Sequence, residues 1–295
     1  MSEDVHWPRA AHWLAMGASA PQYAVLGVPA HETSISSTNA HRTPAAVREA
    51  LLRYSTHHLE LAVDLADLAV RDFGDVEDPD HFEGELRVMD AVRAIPSSAL
   101  LFAIGGDNSI THSVMRGAFE LGRAGLVTLD AHYDLRDGES NGSPVRRLVA
   151  SGLDGRRVVQ VGINDFSNSP AYAARARELG ITVIPRGVVE ERGIRACMEE
   201  ALEIATDGTD GVYVDLDIDV CDRSVVPGCP AAAPGGLSAR ELRIAARVAG
   251  AHPAVRVIDA TEVDATADAP DGRTVRLVAL ALLEAAAGRL HALRA

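Results

Sequence analysis

The stretch "TLDAHYDLRDG", residues 128–138, sets Asp130, His132, Asp134 and Asp137 within eight positions, directly after an apolar run. A second stretch, "VDLDID" at 214–219, sets Asp215, Asp217 and Asp219 at alternate positions. An unpaired buried carboxylate is very costly, so acids at the end of a buried run must be solvated, paired or bound to a cation. Oxygen donors with a single imidazole suit hard or borderline divalent ions, Mn²⁺ more naturally than Zn²⁺ or copper. Carboxylates shared by two ions hold them about 3.5 Å apart, a spacing that activates water for attack. Either motif alone also reads as a helix cap or a solvated loop. Two of them on different strands, with "GGDNS" at 105–109 as a third, favour the cation.

The elements that must position these residues are visible as short apolar runs separated by amphipathic ones. Strands are expected at 23–28, 99–104, 125–130, 157–162, 181–185, 211–217 and 255–260. Helices are expected over roughly 43–53, 85–95, 110–122, 143–151, 169–179, 192–205, 238–250 and 274–290. Near-continuous apolar strands alternating with helices indicate an α/β fold, with a mostly parallel sheet covered on both faces. Stretches 29–42, 72–84 and 219–237 read as loops, and no internal repeat or linker divides the chain. In open parallel sheets ligands collect beyond the carboxyl ends of the strands. Four such ends carry acids here: "GGDNS", "AHYDLRD", the aspartates of 215–219, and "TEVD" at 261–264.

Bulk properties narrow the partners. The 295 residues carry 42 acids against 28 Lys plus Arg, a formal charge of −14, which argues against nucleic acid and anionic membranes. Three cysteines, Cys197, Cys221 and Cys229, fit a reducing compartment without a disulfide framework. The start "MSEDVHWPRAAHW" lacks the pattern of a secretory signal, and no apolar stretch is long enough to span a bilayer. A cytoplasmic protein is expected.

The blocks "LGVPAHETS", "NAHRTPAAVREAL", "AIGGDNSIT", "LDAHYDLRDGESNGSPVR", "VDLDIDVCDRSVVPGCPAAAPGGLS" and "IDATEVDATAD" occur in this order over most of the chain. In them the chain resembles the ureohydrolase superfamily of arginases, agmatinases and formimidoylglutamases. The resemblance implies a single three-layer α/β/α domain over 1–295, around a parallel sheet of about eight strands, with 1–20 as an N-terminal extension. It implies two Mn²⁺ ions, with Asp130 and Asp217 bridging, His132 and Asp219 completing one shell, and Asp134 serving the other. Glu262 would pair with the substrate's amidinium, and Asp134 would pass a proton to the departing amine. Where the family usually has "GGDHS" this chain has Asn108, a neutral and poorer ligand than imidazole. The ion near Asn108 is therefore expected to be weak or absent, while the same residue also reads as a cap of helix 110–122. His112, one turn further on, would substitute only if the backbone left the family's path. The loop 225–236 is expected over the site, and the family's trimers and hexamers lead us to expect a homo-oligomer.

Three positions bear on the substrate. Asn141 stands where arginases and agmatinases usually have histidine, leaving a hydrogen-bonding amide. Arg136, in "DLR", offers a forked partner for a substrate carboxylate. Arg146 reads either as a second carboxylate partner or as a residue on a helix's solvent face. "DAHYDLR" followed by "NGSPVR" is similar to formimidoylglutamase, so the expected reaction converts N-formimidoyl-L-glutamate and water to L-glutamate and formamide. A guanidino-acid hydrolase releasing urea is the alternative, and a metal-poor, non-catalytic family member the other.

Overall fold

Residues 23–28, YAVLGV, are buried at every position and form strand β1 (Tyr23–Val28). A short antiparallel pair, β2 (His57–His58) and β3 (Val63–Asp64), follows, then β4 (Val70–Asp75). The remaining strands are β5 (Leu100–Gly105), β6 (Ala124–Leu129), β7 (Val158–Ile163), β8 (Thr182–Pro185), β9 (Gly211–Asp217) and β10 (Val255–Thr261). Eight of them form one parallel sheet in the order β4-β1-β5-β10-β9-β6-β7-β8. The computed structural model describes residue 4 and residues 6–295.

The sheet is sandwiched between helices, as the alternation predicted. Side chains on a strand alternate between faces, and each face has its own core. Tyr23, Val25, Leu100, Phe102 and Ile104 enter one core, with α1 (Ala10–Leu14), α2 (Thr43–Ala50), α8 (Ile194–Thr206), α9 (Ala239–Ala251) and α10 (Arg273–Arg294). Ala24, Leu26, Val28, Leu101 and Ala103 enter the other, with α3 (His81–Arg93), α4 (Ile110–Ala118), α5 (Pro144–Ala150) and α6 (Pro170–Glu178). The result is a single α/β domain of three layers. Helix α9 starts on a capping box, Ser238 with Glu241. It packs closely against α10, because a Cβ on Gly250 would lie 2.1 Å from the Ala285 carbonyl oxygen.

Two expectations change. The stretch 72–84 is not all loop, since β4 runs to Asp75 and α3 starts at His81. Its polar sequence, VRDFGD, hides a strand because β4 lies at the sheet's edge, where charges are tolerated and discourage further pairing. Arg48 of α2 neutralises that edge, donating to Asp72 at 2.6 and 2.9 Å and to Asp75 at 2.6 Å. A seventh helix, α7 (Arg186–Arg192), also lies outside the predicted helices. Of the expected N-terminal extension, residues 1–3 and 5 lie outside the described residues; α1 is held by Trp13, which is buried and donates to the Leu68 carbonyl at 3.1 Å, while Trp7 stays half exposed. Among the described residues no helix is long and apolar enough to cross a membrane.

Candidate dimetal site

Strands β5, β10, β9 and β6 lie side by side at the middle of the sheet, so the four acid-bearing ends open onto one edge. The loop after β5 reaches this edge by lying directly on the loop after β1. A Cβ on Gly106 would sit 2.0 Å from the Ala30 carbonyl oxygen, so only glycine fits there. Asp134 and Glu262 both adopt left-handed backbone, at φ 53° and 65°. That conformation costs a non-glycine residue about 1–2 kcal/mol, and it recurs at functional positions.

Asp130, Asp134, Asp217 and Asp219 are all buried, and His132 is partly so. Two groups have ligand atoms within 4.8 Å of one another: Asp130 with His132 and Asp219, and Asp130 with Asp134 and Asp217. Asp130 belongs to both, as a bridging ligand must; Asp217, the other expected bridge, falls in one. Backbone amides fix several of these carboxylates. His132 N donates to Asp130 Oδ1 at 2.6 Å, Ala131 N to Asp219 Oδ1 at 3.1 Å, and Asp219 N to Asp217 Oδ1 at 2.9 Å.

The donor set fits a divalent pair, because it is short of positive charge. Among the described residues, Asp130 Oδ2 is buried without any hydrogen-bond partner. Burial, reinforced by Asp219, pushes the Asp130 carboxyl up to about 7. Burial likewise raises Asp134 and Asp217 well above the carboxylate range, helped by Asp130 and Asp219 respectively. His132 is the cluster's one cation. Burial works against its charge, but Asp219, 2.8 Å from Nδ1, and Asp130 push it up to about 12. Carboxylates that hold protons when surrounded only by each other are the groups a metal ion ionises.

Beside the cluster, Glu262 Oε1 accepts from Asn108 N and from Asn141 Nδ2, both at 2.8 Å. Oε2 is left to face the cavity. Burial, then Asp107, raises this carboxyl to about 8. Asn141 Oδ1 accepts from Ile35 N at 3.0 Å, so both ends of this amide are engaged within the protein. Asn108 is fully buried at the head of α4. Its Nδ2 donates to Asp134 Oδ2 at 2.7 Å, and its Oδ1 lies 2.8 Å from Thr111 Oγ1 and 3.2 Å from Thr261 Oγ1. His112 points elsewhere, with Nδ1 3.3 Å from Glu85.

His132, Asp134, Asp217, Asp219 and Glu262 line a cavity of about 390 Å³. Arg136, Ile35, Ser36 and Thr38 line its walls, as do Pro230 and Ala231 of the loop expected over the site. The sequence reading missed Ser167, Asn168, Ser169 and Tyr172, which also line it, because the stretch after β7 carries a single acid, Asp165, and no cluster of them. Arg146 is not brought to the cavity: its guanidinium donates to the carbonyls of Arg136 and Gly138, bracing the loop behind Arg136. It is therefore neither a carboxylate partner at the site nor a free surface charge. Asp137 is exposed and pairs with Arg175 at 2.9 Å. Cys221 and Cys229 are buried, with thiols raised by burial, and stay outside the ligand groups.

A parallel eight-stranded sheet with clustered aspartates at its carboxyl edge is the layout of an α/β protein with a candidate metal site. The chain matches the arginase family over residues 21–288 and belongs to it. It is 34% identical to formimidoylglutamase of Bacillus subtilis over 276 residues, 90% of this chain and 86% of that one. The crystal structure of that species' formimidoylglutamase superposes with a TM-score of 0.91 at 32% identity, covering 98% of this chain and 94% of that one. Formiminoglutamase of Trypanosoma cruzi, solved with a pair of manganese ions, gives 0.86 at 26% identity, over 96% and 98%. Guanidinopropionase of Pseudomonas aeruginosa is 31% identical over 231 residues, 75% of this chain and 72% of its own.

Proposed function

We propose that this chain hydrolyses the amidine C–N bond of N-formimidoyl-L-glutamate, yielding L-glutamate and formamide, with two Mn²⁺ ions as cofactors. The observation that carries this reading is the charge layout of the cavity. Asp134, Asp217, Asp219 and Glu262 all line it, and among the described residues Arg136 is the one arginine in the lining. A substrate with a cationic amidine at one end and carboxylates at the other matches that polarity. The identity to formimidoylglutamases supports the same substrate.

Asp130, His132, Asp134, Asp217 and Asp219 would hold the ions, with Asn108 beside Asp134. When bound, divalent cations supply the Lewis acidity that brings the ionisation of water near neutral pH. The chain's own residues do the rest. Glu262, with Oε1 pinned by two donors, offers Oε2 to the amidinium and holds its carbon beside the aspartates. Asn141, itself part of the cavity lining, is also a strut in this arrangement, tying Glu262 to Ile35 of the cavity wall. Asp134 passes the proton to the glutamate nitrogen as the C–N bond breaks. Arg136 receives a carboxylate at the mouth, and the loop carrying Pro230 and Ala231 limits access of water.

A guanidino acid presents the same two ends, and the likeness to guanidinopropionase supports it as the second reading. The test is to incubate the Mn²⁺-loaded protein with N-formimidoyl-L-glutamate and follow glutamate release against a metal-stripped control. Metal-dependent release supports the proposal. Urea from a guanidino acid, with no glutamate released, would replace it by the second reading.

A further inference from the structure

Behind Asn108 lies a buried polar chain that the proposed reaction does not use. Asp215 and Asp259 face each other in register on β9 and β10, both fully buried. Asp259 Oδ2 is 2.5 Å from Tyr213 OH and 2.8 Å from Thr111 Oγ1. Thr111 Oγ1 is in turn 2.8 Å from Asn108 Oδ1. A threonine hydroxyl has one hydrogen, so it donates to Asp259 or to Asn108, and not to both. A carboxylate is much the stronger acceptor. With the hydrogen on Asp259, Thr111 turns a lone pair toward Asn108, and a lone pair calls for the N–H end of the amide.

The two ends of a carboxamide have the same shape, so turning Asn108 over displaces no other atom. Nδ2 at 2.7 Å suits the Asp134 carboxylate by itself, but an N–H end repels a cation held by Asp134. The oxygen end attracts it. Thr261, at 3.2 Å, is also a hydroxyl and accepts or donates as required. We propose that Thr111, backed by Asp259, is a positioning residue that turns the Asn108 amide so that its oxygen serves the cation held by Asp130, Asp134 and Asp217. The inference rests on the two-ion reading above, and the residues it adds, Thr111 and Asp259, touch neither substrate nor metal.

The test is Mn²⁺ titration followed by the electron paramagnetic resonance of the free ion, without substrate, for the wild-type chain, Thr111→Val, Thr111→Ser, Asn108→Ala and Asn108→Ala with Thr111→Val. Loss of an outer partner of a ligand costs about 10- to 100-fold in affinity. Thr111→Val is expected to weaken one of the two binding steps by that factor and leave the other in place. Thr111→Ser, which keeps the hydroxyl, retains wild-type affinity. In the Asn108→Ala background Thr111→Val has no further effect, which a merely structural role would not produce. Unchanged affinity in Thr111→Val, or an equal loss with and without Asn108, overturns the inference while the two-ion site stands. A wild-type chain that takes up no Mn²⁺ overturns both.

Discussion

Replacing Asn141 by alanine removes two hydrogen bonds of different kinds. The bond from Ile35 N is a neutral one at the exposed rim, where water takes the vacated place, so stability changes little. The bond to Glu262 Oε1 is 2.8 Å long and one of two that fix this carboxyl; it is charge-assisted once bound cations and the amidinium ionise a group that burial and Asp107 raise to about 8. A hydrogen bond to a charged group is worth about 1.5–3 kcal/mol net. If Glu262 orients the amidinium, that energy belongs to the transition state, and kcat/KM falls about 10- to 150-fold. The loss should appear mainly in kcat, because Glu262 keeps its charge and one of its two donors. The assay is steady-state glutamate release from N-formimidoyl-L-glutamate, with Mn²⁺ content and melting temperature measured on the same samples. A kcat/KM unchanged to within about threefold, in a variant with normal metal content, would refute the role of strut.

Two further outcomes are expected. Arg136→Ala should raise KM for the dicarboxylate about fivefold, the effect of an exposed ion pair worth roughly 1 kcal/mol, with Mn²⁺ uptake unchanged; an unchanged KM removes Arg136 from substrate binding. Asp130, Asp134 and Asp217 have raised folded-state carboxyls, Asp130 at about 7, so the metal-stripped fold binds more protons than the unfolded chain from the ordinary carboxylate range up to about 7. Its stability therefore falls as pH rises through that window, and the elevated His132 adds a fall in the same direction above its ordinary value. Its melting temperature should be lower at about pH 8 than at about pH 5.5, and Mn²⁺ should raise it more at the higher pH. The opposite trend in a calorimetric scan would mean that these carboxylates are not the dominant titrating groups.

Much of this was legible in the sequence because buried parallel strands leave a strong apolar signal, and seven of the eight show it. The eighth, Val70–Asp75, was hidden because an edge strand carries charges that pattern reading assigns to loops. At the site, aspartates following strands announced themselves by their cost of burial. The cavity wall at 167–172 did not, since serines and an asparagine in a loop and a tyrosine in the first turn of α6 are unremarkable until a fold brings them to the same cavity as Arg136. Arg146 shows the converse limit. Its charge drew it into the site on paper, but only the path of loop 136–142 shows that its donors face carbonyl oxygens. Asn108 was noticed for its departure from the family's motif, while the hydroxyls around it come from α4 and β10, whose juxtaposition no local pattern reveals.

The strand order also has a consequence for how the chain is made. β5 and β6 flank a gap two strands wide that β9 and β10 fill only after residue 211 has been synthesised. Until then a growing chain holds two strands that are buried throughout in the finished fold, LLFAIG and AGLVTL, each with an edge whose backbone groups have no partner. Such edges template the pairing of one chain with another. A premature stop before β10 would thus remove Glu262 and, in addition, leave a sheet open at its centre. Truncated or slowly translated forms should gather in aggregates that depend on chaperones for release, while the full-length product, its middle closed last, does not.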